Sequence, residues 1–262
     1  MPAGYTHAEF GKQVLQNLKP EIQVKINQHI DLYNIGLHGP DILFFYKPLS
    51  SNEINRYGYW LHEQSADTFF LAARKIIKMS KDPEAALVYI LGFINHFVLD
   101  SECHPYINQF VEDSQISHSE VESEIDRSLM VLAGLDPVKT KTTGHLKVKE
   151  DYGDVIGPFF GFDGKTINKS IKTMITIMNL FVIPSSMKRN VIFAIMRLLG
   201  RYESLHGLVI NYQPNSNCMV CSEENLKRFQ RAVPIAVQLI TEYVETLSSE
   251  DSLDLRYQEN YE

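Results

Sequence analysis

The sequence predicts an all-α fold, a single-domain bundle of roughly seven to nine helices of ordinary length. Three observations predict it. Apolar residues recur at three- and four-residue spacing through most of the 262 residues. No segment alternates apolar and polar side chains over the length of a normal strand. Helix-start signals such as Asp82-Pro83-Glu84 stand ahead of the periodic runs. At 44% hydrophobic residues the chain can bury one large core.

The elements follow in order. From Ala8 to about Ile30 the residues Phe10, Val14, Leu15, Leu18, Ile22, Val24, Ile26 and Ile30 form an approximate stripe. Pro20 breaks it into two short helices or one broken one. Gly36, Gly39, Pro40 and Pro48 then predict an ordered loop that carries Asp41. A helical period resumes between about Asn55 and Met79 through Tyr59, His62, Ala66, Phe69, Phe70, Ala73 and Ile77. Asp82, Pro83 and Glu84 supply the cap, first-turn proline and first-turn acid of a helix running towards Asp100. Pro105 disfavours helical geometry at His104, so the helix is expected to end there or just before. Ser117 and Glu120 form a capping box for a helix from about His118 to Ala133, which Gly134 stops. Residues 135–165 lack periodicity and read as a long connection with room for a short hairpin. Three further helices are expected, from Thr166 to about Val182, Ser185 to about His206, and Ser222 to Leu247. The domain is assigned to residues 1–248, and the acidic tail 249–262 is expected to fray.

Lys and Arg number 25 against 32 Asp and Glu, a formal charge of −7. That leaves no basic surplus for duplex nucleic-acid binding, and it weighs against attack on anionic bulk membranes. The opening MPAGYTHAEFGKQVL has no basic segment followed by an apolar run. No window reaches the roughly 18 uninterrupted apolar residues of a transmembrane segment. Cys103, Cys218 and Cys221 are an odd set that suits a reducing compartment. A cytoplasmic location is therefore expected, or secretion if an export signal precedes this stretch.

Seven of the nine histidines fall in the first 118 residues. In HFVLDSECH, His96 and Asp100 are four residues apart and share a helix face, forming a two-ligand clamp. His104 lies eight residues from His96, which turns its direction by about 80°, so it points to a neighbouring ion. His118 and Glu122 repeat the clamp on the next helix. An isolated pair of this kind is more often an imidazole hydrogen-bonded to its carboxylate inside a core. Two pairs so close together favour metal, because burying Asp and Glu without strong partners costs several kcal/mol each. His7, Asp41 and His62 complete a set of five imidazoles and three carboxylates, the ligand chemistry of catalytic zinc. Iron and manganese accept the same donors. His29 and His38 read as surface or supporting residues, Cys103 as a packing thiol, and Cys218-x-x-Cys221 as a lone pair with little metal signal. Phe44, Phe45, Tyr46, Tyr57, Tyr59 and Trp60 are either core or the wall of a substrate cleft.

In order, His7, GPD with Asp41, HE with His62, HFVLD, CHP with His104 and HSEVE resemble the zinc-dependent phospholipase C family. Its all-helical fold and trinuclear zinc centre are shared with single-strand-specific zinc nucleases. The resemblance spans about the first 130 residues. It implies that Asp41, His62, His96 and Asp100 hold one zinc and that His104, His118 and Glu122 hold a second. His7 with the shared Asp100 would hold a third. The family completes that third site with the amine and carbonyl of an N-terminal tryptophan. Here the pattern departs: the chain begins Met-Pro and its only tryptophan is Trp60, so Pro2, after loss of Met1, would have to substitute.

The resemblance also implies the chemistry. Metal cations neutralise a phosphodiester and acidify the water that attacks it, and Asp41 is both a ligand and the candidate base for that water. The leading expectation is a zinc-dependent phosphodiesterase acting on a phospholipid or related phosphodiester. A single-strand nuclease of the same fold and a non-catalytic zinc-binding protein are the alternatives.

Overall fold

A long central helix organises the chain. In the computed structural model, which describes residues 4–249 and 252–262, α6 runs from Pro83 to Ser114. Around it stand α1 (Gly4–Asn17), α2 (Pro20–Gln28), α3 (Ile30–Gly36), α4 (Glu53–Glu63), α5 (Ala66–Met79) and α7 (His118–Leu132). The remainder comprises α8 (Tyr152–Phe160), α9 (Gly164–Leu180), α10 (Ser186–Leu198), α11 (Tyr202–Leu205) and α12 (Met219–Glu245). No strand occurs among the described residues, as the all-α expectation requires.

Helix α6 is apolar on every side over its first half, with each residue from Ala85 to Ser101 buried. It is long and apolar enough to cross a membrane, but 94% of that apolar window is buried inside the protein, so it is the core helix. Helix α3 crosses it at backbone contact: a Cβ on Gly36 would come 2.2 Å from the Tyr89 carbonyl, and one on Gly92 would come 2.2 Å from that of Tyr33. The rings of Phe69, Phe70, Phe93, Phe97, Tyr243 and Tyr257 fill the space between α5, α6, α12 and the C-terminal segment.

Several boundaries differ from the sequence expectations for physical reasons. Helix α6 does not stop at His104 but continues through Pro105 to Ser114. The apolar residues past the proline, Ile107 with Tyr106, Phe110 and Val111, pack on the core and offset the lost hydrogen bond. The connection 135–165 contains no hairpin; its last part is α8, ended by Gly161 in the left-handed conformation. More and shorter helices appear than expected, because breaks at Gln64-Ser65 and Leu199-Gly200 divide periodic stretches that read as continuous, and Ile30–Gly36, most of it expected in the loop, forms α3.

The tail is the largest departure. Residues 252–262 do not fray: Leu253, Tyr257 and Tyr261 are buried, and Leu255–Gln258 form a 3-10 turn capped by Asp254. The Ala66 amide donates to the Glu259 carbonyl (2.9 Å) and the Tyr261 amide to that of His62 (3.1 Å). Three apolar anchors four residues apart outweigh the acidic composition.

Candidate metal centre

Five separate elements of the chain bring the predicted ligands together. His7 lies in the first turn of α1, whose exposed amides are held by a carboxylate of α7. Asp126 Oδ1 accepts from the Thr6 amide (2.8 Å) and hydroxyl (2.6 Å), and Oδ2 from the Tyr5 amide (3.3 Å). Asp41 sits in a 3-10 turn, Gly39–Phe45. That turn requires its glycine. Gly39 has φ +47°, and a Cβ there would stand 2.1 Å from the His96 ring. His62 ends α4, which Asn52 starts with a reciprocal cap to Asn55. His96, Asp100 and His104 follow one another along α6, and His118 and Glu122 occupy the first turns of α7.

Three groups of these side chains could each hold a metal ion, with donor atoms mutually within 4.8 Å. They are His7, His96 and Asp100; Asp41, His62 and His96; and His104, His118 and Glu122. All eight predicted residues are included. The grouping differs from the sequence reading, because His96 is the residue common to two groups and Asp100 belongs to one. Asp100 Oδ1 is 3.2 Å from His7 Nε2, while its Oδ2 is 3.0 Å from His96 Nε2 and 3.9 Å from His104 Nδ1. Asp41 Oδ1 lies 3.0 Å from His62 Nε2, and Glu122 Oε1 lies 3.4 Å from Nε2 of both His104 and His118.

The imidazoles are oriented for ligation. His62 Nδ1 donates to the Gly58 carbonyl (2.8 Å) and His104 Nδ1 to the Tyr261 carbonyl (2.8 Å). A carbonyl only accepts, so each Nδ1 carries the proton and leaves Nε2 free towards its carboxylate. His96 is fully buried, yet among the described residues neither ring nitrogen finds a hydrogen-bond partner, although Nε2 is close to Asp100. A buried imidazole in that state, within reach of two donor groups, fits a metal ligand better than a satisfied core residue. An all-nitrogen and oxygen donor set fits zinc.

Electrostatics bind the set together. Burial works against ionisation of Asp100, but His96, His104 and His7 hold its carboxyl well below the usual range. Glu122 is likewise held low against burial by His118 and His104. Burial opposes a charged His104, yet Asp100 and Glu122 prevail and push it up to about 9. At His96 burial wins and lowers the pKa, which keeps the ring neutral as ligation requires.

The groups face one cavity of about 180 Å³, lined by seven of the eight residues together with Phe44, Tyr59, Asn108 and Glu262. His96 does not line the cavity but is stacked on His7, which does, with ring centroids 4.7 Å apart. The expected substitution of Pro2 for an N-terminal tryptophan lies outside the described residues.

The model of the family described as zinc dependent phospholipase C matches residues 6–160. The chain belongs to this family. The match contains every residue from His7 to Glu122 that the three groups use. No curated protein and no solved structure matches the chain. Membership in the zinc-dependent phospholipase C family makes zinc the expected metal and hydrolysis the expected class of reaction.

Sequence reasoning missed Tyr261, whose backbone ties His62 to His104 and whose carbonyl orients the latter. The spacing of Leu253, Tyr257 and Tyr261 was the available signal. It also missed His145, which meets His38 with Nε2 atoms 2.9 Å apart. His38 is 1% exposed and so is a supporting residue behind Asp41 rather than a surface one. Cys103, Cys218 and Cys221 are buried free thiols in the core and belong to none of the three donor groups, although Cys103 stands beside His7, Asp100, His104 and Glu122.

Proposed function

We propose that the chain is a phosphodiesterase that uses two or three zinc ions to hydrolyse a phospholipid or a related phosphodiester. The observation that carries this reading is the convergence of three donor groups, from five separate elements of the chain, on one cavity. In this reading Asp41, His62 and His96 serve one ion, His104, His118 and Glu122 a second, and His7, His96 and Asp100 a third. Bound zinc supplies charge neutralisation for the phosphodiester and acidifies the attacking water. Asp41 orients that water and takes its proton, a role supported by its place in the cavity wall beside His62. Asp100 reaches His7 with one oxygen and His96, which also belongs to the Asp41 group, with the other, which supports a carboxylate shared between ions. The buried floor of aromatic and aliphatic side chains excludes bulk water and strengthens each of these interactions.

The cavity suits a phosphate and its head group, with the rest of the substrate outside. Its open rim consists of Tyr59, 59% exposed, Glu262 and the partly exposed His118. Tyr59 stacks on Phe44 with centroids 4.3 Å apart. That ring could cover a quaternary ammonium head group. It could equally stack a base, which favours a single-strand nuclease as the second reading.

Turnover of phosphatidylcholine, single-stranded DNA and a small phosphodiester, measured before and after chelation, separates the readings. The proposal expects phosphatidylcholine cleavage that chelation abolishes and zinc restores. Cleavage confined to DNA selects the second reading. Bound zinc with no turnover of any substrate identifies a non-catalytic zinc protein.

A further inference from the structure

Helix α10 turns an apolar stripe outward. Met187 is 73% exposed, Val191 54%, Ile195 50% and Leu198 86%, and Leu199 follows just past the helix end. At 100° per residue these four helical positions fall within an arc of about 80°. The opposite face is the mounted one. Met196 and Arg189 are buried there, with Ile192 and Phe193 half-buried against a small second core of Ile183, Met196 and Val209. The Arg189 guanidinium donates to the carbonyls of Ile183 (3.3 Å) and Ile210 (2.7 Å) and stacks on Tyr212. The stripe is therefore held outward by a fixed helix, not left exposed by fraying.

Charge singles out the same surface. Lys188 borders the stripe on one side and Arg197, stacked on Tyr202, on the other, while Arg201 follows the helix. From Gly164 to Tyr202 the chain has Lys165, Lys169, Lys172, Lys188, Arg189, Arg197 and Arg201 and none of the 32 acidic residues. The α9 lysines line a groove with Glu150, Asp151 and Asp154, and Arg189 is buried, so the cations beside the stripe are Lys188, Arg197 and Arg201. An apolar stripe flanked by cations is the pattern of a helix lying in a lipid interface.

We infer that α10 docks the protein on an anionic lipid surface. The stripe is convex and lies on a single helix, which suits a deformable planar interface. A second copy packed stripe to stripe about a two-fold axis would bring the flanking cations together, and that repulsion argues against self-association. The mounting also links this helix to the metal centre. The segment following α10 is fastened to the start of α7: Ser123 donates to the Gly207 carbonyl, and Asn211 and Asn215 donate to Glu120 Oε1 (3.1 and 3.0 Å). Glu120 lies between His118 and Glu122 on that helix. Docking would accordingly anchor the side of the molecule that carries the rim of the cleft. It goes beyond the proposed phosphodiesterase activity and does not depend on turnover.

Co-sedimentation with vesicles of phosphatidylcholine alone, or of phosphatidylcholine mixed with phosphatidylglycerol, tests the inference. The intact protein should bind the mixed vesicles preferentially, and added salt should weaken binding. Replacing Lys188 and Arg197 by Glu should reduce binding to the mixed vesicles by more than about tenfold, given about fivefold per basic residue near such a surface. Ile195→Asp with Leu198→Asp should reduce it comparably, with zinc content and helical circular dichroism unchanged. Failure of the intact protein to bind, or equal binding by the variants, overturns the inference. So does a dimer that Ile195→Asp converts to a monomer without lipid. Vesicle binding without phospholipid cleavage would keep the docking surface and reject the phospholipase reading instead.

Discussion

Two regions of the molecule invert the usual distribution of side chains in opposite ways. Around α6 the protein buries ionisable groups: His7, Asp41, His62, His96, Asp100 and Glu122 are each at most 7% exposed. Along α10 it exposes apolar ones that a monomeric core would use. Exceptions of both kinds occur elsewhere, such as buried Asp126 and exposed Leu49 and Met79, but these two regions gather them. Buried carboxylates and imidazoles need a partner of high charge density, which a metal provides. Exposed leucine, isoleucine and methionine on a rigid helix need an apolar partner, which lies outside the chain.

The largest expected effect breaks the first region. Asp100→Asn removes the carboxylate that stands between His7 and His96, so zinc content should fall by at least one ion per chain. Turnover should drop by more than about 100-fold, beyond the 10- to 100-fold loss typical of a supporting partner. Loss of activity with unchanged zinc would mean that Asp100 acts on substrate and does not bridge ions.

A smaller effect tests the support of that region by the tail. Truncation before Tyr261 removes the carbonyl that accepts from His104, and zinc affinity of the rim group should weaken about 10- to 100-fold. Tyr261→Phe should leave it unchanged, because the carbonyl stays and the buried hydroxyl has no hydrogen-bond partner. Competition with a chromogenic chelator distinguishes the two variants.

Asp126 links burial of charge to pH. Burial raises its carboxyl to about 7 despite hydrogen bonds from Thr6 and Tyr5. The folded state therefore retains a proton that the unfolded chain releases near pH 4. The contribution of Asp126 to stability therefore falls as pH rises from about 4 to about 7, by a few kcal/mol in all, and is level above that. Asp126→Asn should remove this slope, as read from thermal midpoints across the window. An unaltered slope would show that the carboxylate is ionised in the fold.

The smallest effect sharpens the contrast. Met187→Gln and Leu198→Gln should each change stability by less than about 0.5 kcal/mol, since neither side chain is packed. Phe93→Ala, in the fully buried ring cluster, should cost about 3–5 kcal/mol. Denaturant midpoints measure both.

How much of this was legible in the sequence depended on whether the signal was local. His96 with Asp100 and His118 with Glu122 are visible because four-residue spacing is helix geometry, and the order of His7, Asp41 and His62 ahead of them carried the family resemblance. The all-α class follows from the same periodicity. The continuation of α6 through Pro105 was not legible, because it depends on Ile107, Phe110 and Val111 finding a core made by distant elements. The tail was misread because composition was weighed over spacing. Leu253, Tyr257 and Tyr261 stand at four-residue intervals, but the amides and carbonyls that tie them to Ala66, His62 and His104 are set by tertiary contact. The positive segment was hidden by a net charge that averages it against the rest of the chain.

The account stands most directly on the metal count. Elemental analysis of the purified chain after zinc loading and desalting should find two to three zinc ions per molecule, removed by chelation together with phosphodiester turnover. Fewer than two zinc ions per chain under metal-replete conditions would contradict it.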